Sequence, residues 1–150
     1  MSVLRMVIVA LVFALLLCTA ALAKDERPRC ELCNMFWDIS ATRITAEFKG
    51  VGSHKFESLG CMYQSVDSKA QVTRFKVLDY ASAKSESQRM IDGKSAHYLY
   101  GTSHLKGSMA PFVAAFSSKD SALAAQDKLG GEYMKFDGVW KKLASALKKN

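Results

Sequence analysis

The first apolar block is unbroken from Met6 to Leu17. It follows a start whose positive residue is Arg5, and small residues close it at Ala21, Leu22 and Ala23, ahead of the charged stretch Lys24-Asp25-Glu26-Arg27-Pro28. A positive start, an apolar middle and an A-x-A ending make a cleavable signal peptide, and the run is shorter than the roughly 20 residues that span a bilayer. The pattern predicts cleavage after Ala23, leaving residues 24–150 as one small domain in the periplasm. Lipidation at Cys18 is the alternative, but bulky Leu17 stands where lipoprotein signals carry a small residue.

Beyond the leader the periodicity changes. Arg43 to Lys49 alternates, with Ile44, Ala46 and Phe48 on one face, as a half-buried strand does. A turn over 50–53 leads to a returning strand at Lys55 to Glu57. Ser58 then caps a helix whose apolar positions, Leu59, Met62, Tyr63 and Val66, fall three or four apart. A strand follows from Val72 to Tyr80, and the polar stretch from Ala81 to Gly93 reads as an exposed connection.

The second half repeats this order. Ala96 to Tyr100 and Phe112 to Phe116 are strand-like and flank a long Gly- and Ser-rich loop. Ser118 caps a helix that runs to Leu129 and stops at Gly130 and Gly131. Glu132 to Phe136 is a further strand, and a final helix carries Val139, Trp140, Leu143 and Leu147 on one face. The expected class is α+β, with two similar β-β-α-β units packed as one small body plus a C-terminal helix. Phe56-Glu57-Ser58 aligns with Phe116-Ser117-Ser118 at the two helix starts, which suggests an internal duplication of about 30–81 and 95–137.

The formal charge of +7 would ordinarily raise nucleic acid as a partner, but an exported location argues against it. The lysines are spread thinly apart from Lys141, Lys142, Lys148 and Lys149, a solvated helix face that also suits peripheral contact with an anionic membrane. Of the four cysteines, Cys18 belongs to the leader. Cys30, Cys33 and Cys61 remain, an odd number that leaves one thiol unpaired in an oxidising compartment or marks metal ligands.

Cys30-Glu31-Leu32-Cys33-Asn34-Met35 is the richest constellation. Two thiols two residues apart can grip one ion, and the Met35 thioether adds a neutral soft donor. Such a set favours copper(I) over zinc. A disulfide within Cys30, Cys33 and Cys61 is the competing reading. Cys61, early in a helix, gains thiolate character there and is a third candidate ligand. Met109 lies in a glycine- and serine-rich loop where a methionine buries little apolar surface, so it is a better ligand candidate than Met90 or Met134. His54, His97 and His104 are scattered. Several enzyme classes lack their parts: Asn34 rather than His follows the cysteine pair, and there is no HExxH, GxSxG or phosphate loop. The pair also lacks the strand-to-helix setting of a thioredoxin-like motif.

Cys33-Asn34-Met35, Phe56 to Met62, Ala96 to Ser103 leading to Ser108-Met109, Phe112 to Phe116, and Gly130-Gly131-Glu132 with Phe136-Asp137 together resemble the NosL family of exported copper-binding accessory proteins. The resemblance spans about residues 30–137. It implies a duplicated ββαβ fold and bound copper(I). It also implies a role as a periplasmic metallochaperone, not an enzyme, that hands copper to a partner protein, an exported copper enzyme such as nitrous-oxide reductase. The resemblance carries over Cys33 with Met35 and the loop Met109; joined to the residue reading, which adds Cys30 and Cys61, the expected metal residues are Cys30, Cys33, Met35, Cys61 and Met109, and Cys33 and Met109 must share one side of the fold. Asn34 stands where the family often has Gly, and Ser108-Met109-Ala110 replaces its Pro-Met-Gly. A zinc- or disulfide-stabilised binding module, with Cys30, Cys33, Cys61 and one histidine, is the alternative.

Overall fold

The computed structural model describes residues 26–66, 71–103, 105 and 107–147. The leader with Cys18, and also His104, Lys148 and Lys149, lie outside the described residues. In chain order the elements are β1 (Ile44–Phe48), β2 (Gly52–Phe56), α1 (Leu59–Gln64), β3 (Val72–Leu78), a 3-10 turn (Tyr80–Ser82), β4 (Met90–Asp92), β5 (His97–Tyr100), β6 (Val113–Phe116), α2 (Lys119–Leu129), β7 (Glu132–Lys135) and α3 (Phe136–Ala146).

They form two antiparallel sheets, ordered β2-β1-β3-β4 and β6-β5-β7. In each, the first strand is central, the second lies on one side, and a helix intervenes before the third pairs on the other. This is the repeated β-β-α-β connection that the periodicity predicts. Both serine caps are in place: Ser58 Oγ accepts from Cys61 N at 3.3 Å, and Ser118 Oγ from Ser121 N at 3.1 Å. Gly130, at φ 66, closes α2.

The stretch from Ala81 to Gly93 departs from its reading as a plain connection, because Met90 to Asp92 pairs with the edge of β3. α3 starts at Phe136, directly after β7.

One core joins the halves. Ile44, Ala46, Phe56, Met62, Phe75 and Val77 from the first unit pack with Tyr98, Val113, Phe136, Val139 and Leu143 from the second. Aromatic edges tie α3 in, with Tyr63 and Trp140 centroids 4.9 Å apart and Phe75 and Phe136 also 4.9 Å apart. A smaller cluster of Leu99, Leu105, Ala114, Phe116 and Ala122 lies under α2. Asp79, fully buried, bridges in parallel to Ala115 and meets Arg89 in an ion pair. No helix among the described residues is long and apolar enough to cross a membrane.

Candidate metal centre

Cys30 and Cys33 sit in a tight turn that precedes β1. Cys30 N donates to Met35 O at 2.8 Å, Asn34 N donates to Cys30 O at 2.9 Å, and Arg29 bridges to Phe36. The guanidinium carbons of Arg27 and Arg29 lie 3.7 and 4.0 Å from the Phe36 ring centre. Asn34 closes the turn at φ 61, the left-handed region that Asn tolerates better than most residues. Glu31 N then donates to Lys55 O at 3.0 Å, and the Glu31 carboxylate takes Lys55 N at 3.0 Å and the His54 ring. These bonds lay the turn along β2, beside the start of α1.

Cys61 occupies the first turns of α1, so its thiol faces that N-terminal turn. The three Sγ atoms of Cys30, Cys33 and Cys61 all lie within 4.8 Å of one another, and all three are free thiols. Cys30 and Cys61 are buried, whereas Cys33 is partly open. Three sulfurs about 4 Å apart surround one ion at metal–sulfur distances of about 2.3 Å, so a slight contraction of this triad closes it on a single cation.

The third strand of the site comes from the other half of the protein. The loop between β5 and β6 folds over the first unit: Gly107, at φ 69, stacks on the Ser40 backbone, where a Cβ would lie 3.1 Å from Ser40 Cα. Thr42 Oγ1 reaches Ser108 Oγ at 2.9 Å, and Ser40 and Thr42 both hydrogen-bond to Glu57 O at 2.7 Å. The Met109 backbone N–H is thereby turned toward the Glu57 carboxyl and favours its charge, without reaching hydrogen-bond geometry. Met109 is half exposed and Met35 partly buried. The Met109 backbone thus lies by Glu57, whose Oε1 meets Cys61 of the triad.

Glu57 is the residue that sequence reasoning missed. It is fully buried, its Oε1 accepts from Ser58 Oγ at 2.8 Å and from Cys61 Sγ at 3.3 Å, and its Oε2 has no partner among the described residues. A signal was present in the repeat, since the aligned position in the second half is the neutral, exposed Ser117.

The electrostatics follow from this packing. The Cys61 side chain, and then the backbone N–H groups of Cys33, Glu57 and Leu32, favour a thiolate on Cys30 against the cost of burial and lower its pKa to about 5. Cys61 moves the opposite way, against the thiolate character expected from its place early in a helix, because the Cys30 sulfur draws on its single proton, burial penalises its charge, and the Glu57 carboxyl competes for the same proton. Burial raises Cys33, with the Met35 amide opposing. Burial raises Glu57 as well. An anionic sulfur and a carboxyl are thus enclosed together, and a bound cation would relieve their repulsion.

No histidine among the described residues joins the triad. His54 is engaged with Glu31, and His97 lies on β5, with Nδ1 2.7 Å from the Tyr133 hydroxyl and Nε2 3.3 Å from Lys135 Nζ.

The crystal structure of the copper chaperone NosL from Shewanella denitrificans has the same fold, with a TM-score of 0.61 at 23% identity over 77% of this chain and 91% of that one. No curated protein matches the chain. The family model for NosL, in contrast, matches residues 21–144, which takes in the cysteine turn, Glu57, α1 and the Met109 loop. The chain belongs to the NosL family.

Proposed function

We propose that this protein is an exported copper(I) chaperone whose leader is cleaved near Ala23. Residues 24–150 would then work in the periplasm, carrying the ion to a copper enzyme such as nitrous-oxide reductase and catalysing nothing themselves. The observation that carries the reading is the convergence of three thiols within 4.8 Å, with the backbone of half-exposed Met109 by the adjoining Glu57. Thiolates and thioethers are soft donors that select copper(I). Cys30, Cys33 and Cys61 hold the cargo, and Met35 and Met109 are thioether ligands at its rim.

Two features suit transfer rather than storage. Cys30 is poised as a thiolate at neutral pH, so capture of the ion needs no proton loss from that sulfur. Cys33 is the partly open member of the triad, where an incoming ligand from the recipient can attack. Exchange then proceeds one sulfur at a time. Among the described histidines, His54 and His97 have engagements of their own, which weighs against a zinc module built on either of them. The reading is tested by titrating copper(I) under anaerobic, reducing conditions against a chromophoric chelator. Affinity well beyond about micromolar is expected, weakened strongly in a Cys33→Ser, Met109→Leu double variant. Micromolar or weaker binding, or no change in the double variant, would reject it.

A further inference from the structure

The thiol triad has a chemical capacity that a monovalent cargo does not use. Its three sulfurs lie within 4.8 Å of one another, and no histidine or carboxylate among the described residues joins them at that spacing. Cys30 and Cys61 are 2% and 4% exposed, Cys33 is partly open, and all three are free thiols. The triad is a three-pronged sulfur cap whose accessible member is Cys33.

Buried charge is costly unless it is balanced. Three thiolates around copper(I) leave two negative charges uncancelled, and around zinc(II) they leave one. Glu57 offers no relief, since its carboxyl is fully buried and its Oε1 meets the Ser58 hydroxyl and the Cys61 thiol. That cost suits a cargo that must be given up. A trivalent centre cancels all three thiolates and leaves the complex neutral. Coordination number points the same way: zinc(II) completes a tetrahedron with a fourth ligand, whereas trivalent arsenic and antimony keep a lone pair and take three sulfurs in a pyramid. Arsenic–sulfur bonds match the zinc–thiolate length of about 2.3 Å, so the same contraction closes the triad on either kind of centre.

We infer that Cys30, Cys33 and Cys61 together bind the trivalent metalloid acids, arsenite and antimonite, which are neutral hydroxides at neutral pH. Each thiol gives its sulfur to the metalloid and its proton to a departing hydroxyl. Three sulfur–arsenic bonds form, three arsenic–oxygen bonds break and three waters leave, with no change of oxidation state. Cys33 reacts first because it is the open member, and the buried pair completes the cap. This inference rests on the same thiols as the copper reading and makes no use of Met35 or Met109, because a pyramidal centre is complete with three sulfurs. An occupied triad excludes copper(I).

The experiment titrates sodium arsenite into the metal-free, reduced protein, anaerobically and free of added thiol, and reads native mass spectra and the ultraviolet band of sulfur-to-arsenic charge transfer. One arsenic per chain is expected, with a mass gain of one arsenic atom less three hydrogens. Cys33→Ser, at the partly open position where the fold is least at risk, should weaken binding at least tenfold and show one arsenic and one hydroxyl gained for two hydrogens lost. Cys30→Ser and Cys61→Ser should weaken it as much, with circular dichroism confirming the fold. A Met35→Leu, Met109→Leu double variant should keep the parent's arsenite affinity while its copper(I) affinity falls. No arsenite binding, the two-thiol mass in the parent, or arsenite affinity that falls with the thioethers would each overturn the assignment. Arsenite binding without tight copper(I) binding would remove the copper reading alone, and tight copper(I) binding without arsenite binding would remove this inference alone.

Discussion

Glu57 Oε1 and Cys61 Sγ lie 3.3 Å apart, one helical turn from each other, with both residues buried. A carboxyl in that position raises the cost of every further negative charge in the thiol cluster, and it is itself pushed up by burial. Its folded pKa lies above the unfolded value of 4.5. The stability it contributes is therefore fully present below 4.5 and is lost as pH rises through the folded value.

Glu57→Gln removes that titration. The variant should match or exceed the parent in melting temperature at neutral pH, and the difference should shrink or reverse toward acid. Thermal melts of the metal-free proteins across pH check this, and a parent that gains on the variant as pH rises would contradict it.

Cys30 carries the opposite sign. Its folded pKa, about 5 against an ordinary 9.0, gives stability that is complete above 9.0 and is lost as pH falls through about 5. Ultraviolet thiolate absorption of the metal-free protein should show one thiolate at neutral pH that disappears on acidification near pH 5. Cys30→Ser should remove it. Thiolate signal that appears only in alkali would show that the cluster does not favour the anion.

Asn34 holds φ 61 in the cysteine turn. Asn34→Gly should be nearly neutral, because glycine adopts that conformation freely. Asn34→Val should cost about 1–2 kcal/mol and loosen the turn that spaces Cys30 and Cys33. Denaturant unfolding measures the first effect, and copper(I) affinity of the two variants measures the second.

Tyr98, fully buried, gives its hydroxyl to Gly93 O across the junction of the halves. Tyr98→Phe leaves that carbonyl short of a partner and should lower stability by about 1–2 kcal/mol, with no change in metal affinity. A larger loss of affinity than of stability would mean that the strand also governs the thiol site.

Much of this architecture was legible in the sequence because local rules governed it. The alternation of Ile44, Ala46 and Phe48 became β1, Ser58 and Ser118 became caps, and Gly130 ended α2 where its freedom was needed. β4 was not legible, since Met90 to Asp92 is too short to show a period and is a strand only through pairing with β3. The approach of Cys61 to the Cys30 turn depends on the Glu31 and Lys55 backbone pairing, which no spacing rule encodes. Glu57 was hidden for a similar reason: a charge beside Phe56 and Ser58 looks solvated until a loop from the other half covers it.

That dependence on tertiary contacts shapes when the donor set can exist. In an unfolded chain Cys30 and Cys33 are already neighbours, but Cys61 is remote and the Met109 loop more so. A nascent polypeptide could offer only a two-pronged grip. On the proposed ligand set the full grip arises once the body is assembled, so ion occupancy would draw the chain toward its native form by mass action, and a starved population should be the one most readily degraded.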